Sequence, residues 1–293
     1  MKKKSVLAKC ALITTTIIWG AGFVAVKYAV EDIAPVLLLA LRFTIAGILL
    51  SAVFFYKLKL INAKYLLNGA VLGTVLFCAY AFQTVGITGT TPGKNAFLTA
   101  VYCVLVPFLY WIIEKKQPEM RHFLAAVFCI AGIGLVSLTD ELTINTGDLL
   151  TLISGLFFGI HVVFVSRYTK SDHGDAVLYT IIQFAVCAVL SWIFSLIFES
   201  FPESVSSLTV YSLLFLAVPS TAVALLLQII GQKYTHPAAA SILLSLESVF
   251  GVLFSVFIYG ETLTQRILLG FCLIFAAVLI SETRTKKKDR TAE

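Results

Sequence analysis

One acidic residue, Glu247, stands inside a long apolar segment of the sequence, ten residues after Pro237. In a helix this separation is roughly 15 Å, about half the thickness of the hydrocarbon core of a bilayer. Ionisable residues at such a depth are costly and usually functional. Two interpretations stand: the carboxylate binds an ammonium group or takes a coupling proton, or burial keeps it neutral and it only holds helices together.

A polar stripe is expected at the same depth in an earlier segment. Asn95, Thr99 and Tyr102 are spaced i, i+4 and i+7, which places them on one face of a helix. Tyr102 lies ten residues after the proline that begins its segment, as Glu247 does. We therefore predict that the two stripes face each other and line a substrate cavity.

Other polar or aromatic residues interrupt the apolar segments and are candidates for the same cavity: Trp19, Arg42, Tyr80, Gln83, His161 and Gln228. Arg42 lies roughly 10 Å below the membrane surface, too deep to reach the headgroups, so we expect it to face the cavity or a partner. Trp19 either offers a stacking wall or fills volume, and His161 either lines the cavity or only packs through a hydrogen bond. Lys27 and Lys94 lie close enough to the surface to extend to headgroups, or they are functional.

The composition requires a membrane around these residues. Of the 293 residues, 59% are hydrophobic and only 13% are charged, whereas soluble domains carry about 25% charged residues. Uncharged runs such as 65–93 and 176–198 are long enough to cross a bilayer as helices and lack the alternation of a β-barrel. We predict ten spans, near residues 8–30, 35–56, 65–87, 92–113, 121–139, 148–167, 175–198, 208–231, 237–259 and 264–282.

The distribution of basic residues indicates the orientation of these spans. With the N-terminus in the cytoplasm, the inner segments hold 18 of the 22 basic residues and the outer segments hold Arg266 alone. Basic segments resist translocation, so both termini are predicted to be cytoplasmic and the chain to be a multi-pass protein of the cytoplasmic membrane.

The two halves of the chain repeat each other. Four residues recur with the same identity 145 positions later, and the matched pairs are Gln83 and Gln228, Gly86 and Gly231, Thr90 and Thr235, and Pro92 and Pro237. Because each half has five spans, the second half enters the membrane from the opposite side, as in many secondary transporters. The predicted fold is an all-α integral membrane protein with ten transmembrane helices as two inverted five-helix repeats, 8–139 and 148–282, followed by a basic cytoplasmic tail, 283–293.

Three groups of residues carry a resemblance to a known family: Trp19-Gly20-Ala21-Gly22-Phe23 with Lys27 and Arg42-Phe43, the segment from Thr90 to Thr99, and Leu246-Glu247-Ser248 with Gly260-Glu261. They resemble the EamA-type transporters of the drug/metabolite transporter superfamily. The resemblance implies ten helices, cytoplasmic termini and export of small metabolites, often amino acids. The sequence departs from the family pattern at Ser248, where proline is usual, and at Lys115-Lys116, the counterpart of Gly260-Glu261.

These observations predict a secondary transporter and not an enzyme. The expected partners are a small-molecule substrate and the lipid bilayer, with no cofactor, no metal and no nucleic acid. The segment 89–95 has one spacer too few for a phosphate loop, and no ATPase motif is present. The glycine pairs Gly69/Gly73 and Gly155/Gly159 predict close helix packing, either within the chain or in a homodimer. The alternatives are a membrane-embedded enzyme or lipid-linked sugar flippase, or an ion channel.

Overall fold

A computed structural model of the protein describes residues 2–115, 117–138, 144–169, 175–235 and 237–282. The described residues are helical, with no β-strand among them. The helices, in chain order, are α1 (Lys2–Asp32), α2 (Pro35–Val53), α3 (Phe55–Leu58), α4 (Ala63–Thr88), α5 (Pro92–Thr99), α6 (Tyr102–Glu114), α7 (Met120–Ser137), α8 (Thr146–Thr169), α9 (Ala176–Phe198), α10 (Ser207–Phe215), α11 (Ala224–Tyr234), α12 (Pro237–Phe254) and α13 (Gln265–Glu282). The predicted basic tail, 283–293, lies outside the described residues.

Eight stretches are each long and apolar enough to cross a membrane: Val6–Asp32, Pro35–Val53, Ala63–Thr88, Pro92–Glu114, Met120–Ser137, Thr146–Thr169, Ala176–Phe198 and Ser207–Tyr234. They correspond to the first eight predicted spans. Two shorter apolar stretches, Leu243–Tyr259 and Gln265–Ser281, occupy the positions of the last two. The prediction of an all-helical, multi-pass membrane protein is confirmed.

Two segments have the wider π-helical hydrogen bonding. Leu216–Val223 joins α10 to α11, and Ser255–Tyr259 follows α12. The first contains Pro219, whose ring removes one backbone donor and favours a local change of helical pitch. The predicted eighth span is therefore three helical pieces rather than one.

The fourth predicted span, 92–113, is also broken. Helix α5 ends at Thr99 and α6 begins at Tyr102. Between them, the Val101 amide donates to the Leu98 carbonyl at 3.4 Å and the Cys103 amide to the Ala100 carbonyl at 3.1 Å. These tighter i→i−3 bonds replace the i→i−4 bonds of a continuous helix.

Small residues bring the helices into close contact within the chain. A Cβ atom built on Gly69 would lie 2.4 Å from Cγ2 of Ile182, and one built on Gly73 would lie 2.9 Å from the Gln183 carbonyl oxygen. One built on Gly155 would lie 3.2 Å from the Thr99 carbonyl oxygen, beside the break in the fourth span. Contacts inside the chain therefore account for these glycines, and the homodimer stays a prediction.

Two residues of the described chain have a left-handed backbone, Lys115 with φ of 56° and Gly260 with φ of 77°. Each follows the helical segment that leads out of the fourth or the ninth predicted span. Their separation is 145 residues, the same offset that relates the matched residues of the two halves. Two equivalent turns thus have the same backbone conformation although only one of them is a glycine.

We predict that Gly20→Ala destabilises the protein strongly. A Cβ at Gly20 would lie 2.8 Å from the Phe250 carbonyl carbon and 2.9 Å from the Gly251 amide nitrogen, so the backbones of α1 and α12 would have to separate. Overpacking of this kind costs about 1–3 kcal/mol. The matched control is Gly47→Ala, whose Cβ would meet Phe184 Cβ at an ordinary 3.7 Å. Thermal unfolding in detergent should show a lower midpoint for Gly20→Ala only; equal midpoints would contradict the packing.

We predict that Lys115→Gly stabilises the protein, because glycine adopts the left-handed conformation without the steric cost of about 1 kcal/mol that a side chain pays there. Lys115→Ala is the control, since it removes the same charge and keeps the Cβ atom. The unfolding midpoint should rise in the glycine variant alone. A rise of equal size in both variants would show that the charge, not the backbone, is responsible.

Candidate functional site

A cavity lies among helices from both halves of the chain, and all ten sequence-predicted binding residues line it: Trp19, Arg42, Tyr80, Gln83, Asn95, Thr99, Tyr102, His161, Gln228 and Glu247. The cavity volume is about 50 Å³ when it is measured as the space open to the centre of a water molecule. Since one water needs roughly 10–15 Å³ by this measure, this conformation has room for a few waters. The substrate-binding role of the ten residues stays a prediction.

The two residues expected to face each other are neighbours. The side chains of Tyr102 and Glu247 are in hydrogen-bonding contact, and each residue is only 4% exposed. Tyr102 belongs to the first turn of α6, directly after the break in its span, and Glu247 lies within α12. A carboxyl group thus stands in the cavity wall beside a phenol that can donate to it.

Arg42 forms the positive part of the cavity wall. The residue lies within α2 and is 1% exposed. Its Nε donates to Thr221 Oγ1 at 2.8 Å, and its guanidinium carbon lies 4.7 Å from the centre of the Tyr80 ring. No ion pair joins Arg42 to a carboxylate among the described residues. A hydroxyl group and an aromatic face therefore hold the cation, and its charge is available to an anionic ligand.

The π segment Leu216–Val223 positions two of the lining residues. Its Thr221 accepts the hydrogen bond from Arg42, and the carbonyl oxygen of Ser220 accepts one from Trp19 Nε1 at 2.9 Å. Sequence reasoning missed both Thr221 and Ser220, because neither stands out by type in the run 204–232. Pro219 was the one sign that this span departs from a regular α-helix.

The polar stripe of the fourth span is held by hydrogen bonds. Gln83 Nε2 donates to Thr99 Oγ1 at 3.1 Å, and Asn95 Nδ2 donates to Thr151 Oγ1 at 2.7 Å. Asn95 Oδ1 and Gln228 Oε1 are buried and have no hydrogen-bond partner in the described chain. Two residues of the cavity wall therefore each hold a buried acceptor that has no donor among the described residues.

His161 both lines the cavity and makes an internal hydrogen bond, so the structure combines the two interpretations of this residue. Its Nε2 lies 2.9 Å from Oε1 of Gln183, which is fully buried in α9. Sequence reasoning missed Gln183, although a glutamine in the otherwise apolar run 176–198 was a usable signal. Phe158, one turn earlier in α8, lies between the rings of Tyr80 and Tyr102, at 5.2 and 6.4 Å.

The two lysines near the membrane surface are not among the residues that line the cavity, and both contact protein groups. Lys27 Nζ donates to the carbonyl oxygens of Ile87 and Thr90 at 2.9 and 2.8 Å. Lys94 Nζ lies 2.6 Å from Oδ2 of Asp148, a residue with no exposed surface. Both ammonium groups therefore have partners within the protein, and the choice between headgroup contact and function stays a prediction.

The model of the EamA-like transporter family matches the chain twice, at residues 6–138 and 145–283. A transporter of Archaeoglobus fulgidus is 32% identical to the chain, over 96% of this chain and 87% of its own length. A protein of Salmonella typhimurium named "Probable amino-acid metabolite efflux pump" is 25% identical, over 90% of this chain and 91% of its own length.

A solved crystal structure has the same fold, with a TM-score of 0.69 over 93% of this chain and 95% of that one. Its sequence identity is 17%, so it adds evidence for the fold alone. The family model spans nearly all of the described helices, and the named relatives are transporters. The chain belongs to the EamA-like transporter family.

Proposed function

We propose that this transporter is a secondary carrier that exports small metabolites, such as amino acids, across the cytoplasmic membrane by alternating access. One observation carries the proposal: a single buried cavity holds both a guanidinium group, Arg42, and a carboxyl group, Glu247. An amino acid carries one carboxylate and one ammonium group, and each has a complementary charge in this wall.

The proposed binding mode divides the cavity between the two charges. Arg42 binds the substrate carboxylate, for which its planar guanidinium is suited. Glu247 binds the ammonium group of the substrate. The unpaired acceptors Asn95 Oδ1 and Gln228 Oε1 accept hydrogen bonds from those substrate N–H groups that do not bind the Glu247 carboxylate. The rings of Trp19 and Tyr80 give the apolar wall for a side chain. The proposed site is completed by four further lining residues: Tyr102, Gln83, Thr99 and His161.

The proposed architecture is ten spans in two inverted repeats, 8–139 and 148–282. Two observations support it: the family model matches each half separately, and Lys115 and Gly260 have the same backbone conformation at the repeat offset. The shorter stretches Leu243–Tyr259 and Gln265–Ser281 supply the last two spans. In an inverted repeat, the two halves can pack against each other in two related ways, one open to each side of the membrane. This exchange is the basis of alternating access.

Orientation and direction are part of the same proposal. The excess of basic residues in alternate loops supports cytoplasmic termini, with the tail 283–293 as an anchor on the inner surface. Export is supported by the efflux-pump name of the Salmonella relative. The enzyme and flippase alternatives have no comparable support, since the named relatives are transporters.

We predict that Glu247→Gln lowers substrate flux about tenfold or more, because a charge-assisted hydrogen bond to the ammonium group is lost. The measurement is flux of a panel of radiolabelled amino acids in proteoliposomes. Glu203→Gln is the matched control, since it removes an exposed carboxylate that does not line the cavity. Both variants must elute as the parent does in gel filtration. If the Glu247→Gln variant transports every substrate at the rate of the parent protein, the proposed site is contradicted.

A further inference from the structure

We propose that the half-helix α5 is the outer gate of the cavity and that Glu261 is the latch that keeps this gate closed. The inference rests on the proposed transport function and on the proposed orientation, which puts the start of α5 and the turn at Glu261 at the outer surface. Glu261 is one of the residues that resemble the family pattern, yet it does not line the cavity. Its contacts instead join the two halves of the chain.

The Glu261 carboxylate caps the N-terminus of α5 from the other half of the sequence. Oε2 accepts a hydrogen bond from the Gly93 amide at 2.9 Å, and Oε1 accepts one from the hydroxyl of Thr91. Ser255 donates a further bond to Oε2. The first amides of a helix have no partner within it and carry partial positive charge, so a carboxylate at this place stabilises the closed position of α5.

The chain around Glu261 is shaped for this contact. Gly260 has a left-handed backbone, and the Glu261 amide donates back to the Ser255 carbonyl oxygen at 3.1 Å, which turns the carboxylate toward α5. On the other side, a Cβ built on Gly93 would lie 2.6 Å from Glu261 Oε2. Gly93 therefore leaves the space in which the carboxylate sits.

The latched element carries part of the proposed binding site. Helix α5 is eight residues long and bears Asn95 and Thr99, both in the cavity wall. It ends at the break before Tyr102, where the weaker i→i−3 bonds permit a change of angle. Movement of α5 about this break would open the wall and shift two lining residues together.

A second tie supports the closed position. Asp148, at the start of α8, pairs with Lys94 of α5 and accepts a hydrogen bond at 2.5 Å from Thr90 just before α5. Asp148 also comes from the second half of the chain, so both ties cross between the proposed repeats. With Asp148 still in place, loss of Glu261 should loosen the gate without unfolding it.

In the sequence, the residue 145 positions before Glu261 is Lys116, and a cation does not stabilise the N-terminus of a helix. We therefore expect a carboxylate latch of this kind at the outer surface only. Release of Glu261 from α5 is the step that we assign to outward opening.

The test measures access to the cavity from outside. Val26 lines the cavity and is 7% exposed, so Val26→Cys in a background without the six natural cysteines reports on the closed gate. Intact cells are treated with a membrane-impermeant maleimide. We expect Glu261→Ala to accelerate labelling of this cysteine about tenfold, as the closed state loses charge-assisted hydrogen bonds.

Two further variants make the outcome decisive. Glu203→Ala removes an exposed carboxylate from the segment between α9 and α10 and should leave the labelling rate unchanged. Gly260→Ala keeps the Glu261 carboxylate but strains the turn that positions it, because φ is 77° there. No atom lies within 4 Å of the added Cβ, so the strain comes from the backbone alone and not from a clash. This variant should accelerate labelling, and it carries the test if Glu261→Ala does not fold.

Unchanged labelling in the folded variants, or equal acceleration by Glu203→Ala, would overturn the latch. Acceleration only when the reagent is added to inverted vesicles would place this gate at the cytoplasmic surface and would also overturn the proposal. The labelling needs no substrate, so its result is independent of the flux measured for Glu247→Gln. A failed latch and a failed binding site are thus distinguishable.

Discussion

The hydrocarbon core of the membrane is the constraint on which the rest of the structure depends. No water is present in the hydrocarbon, so the polar groups of a span either find partners inside the protein or face an interior cavity. Arg42 meets this requirement through Thr221 and the Tyr80 ring, and His161 meets it through Gln183. The polar side chains therefore converge on one interior cavity, while the outward faces of helices such as α9 remain apolar.

The same constraint explains why irregular backbone occurs where it does. A broken helix exposes amides and carbonyls, which is tolerated in a membrane only against other protein or a cavity. The break after Thr99 lies against Gly155, and the π segment at Ser220 lies against Trp19. Thr99, Tyr102 and Ser220, at these two of the three irregular segments, line the cavity. The movement that we propose for α5 would take place at the first of them.

The membrane constraint also determined how much could be predicted from the sequence. A polar side chain in a long apolar run is stable mainly in the protein interior and not against lipid. Gln83, Gln228 and Glu247 could therefore be assigned to one cavity without coordinates. The spans followed from length and hydropathy alone. Thr221 and Gln183 could not be assigned as partners, because their roles depend on which helices pack together. The capping of α5 by Glu261 bridges 168 residues, and local patterns carry no information about such contacts.

In the proposed mechanism, one cavity that is shared by both halves of the chain opens alternately to the two sides of the membrane. Countertransport tests it most directly. Proteoliposomes are preloaded with an unlabelled amino acid that the protein transports, and uptake of the labelled form from outside is followed over time. Alternating access predicts that preloading accelerates uptake and produces a transient overshoot, because each return of the loaded cavity exchanges one molecule for another. Uptake at the same rate with and without preloading, with no overshoot, would indicate a continuous channel and contradict the account.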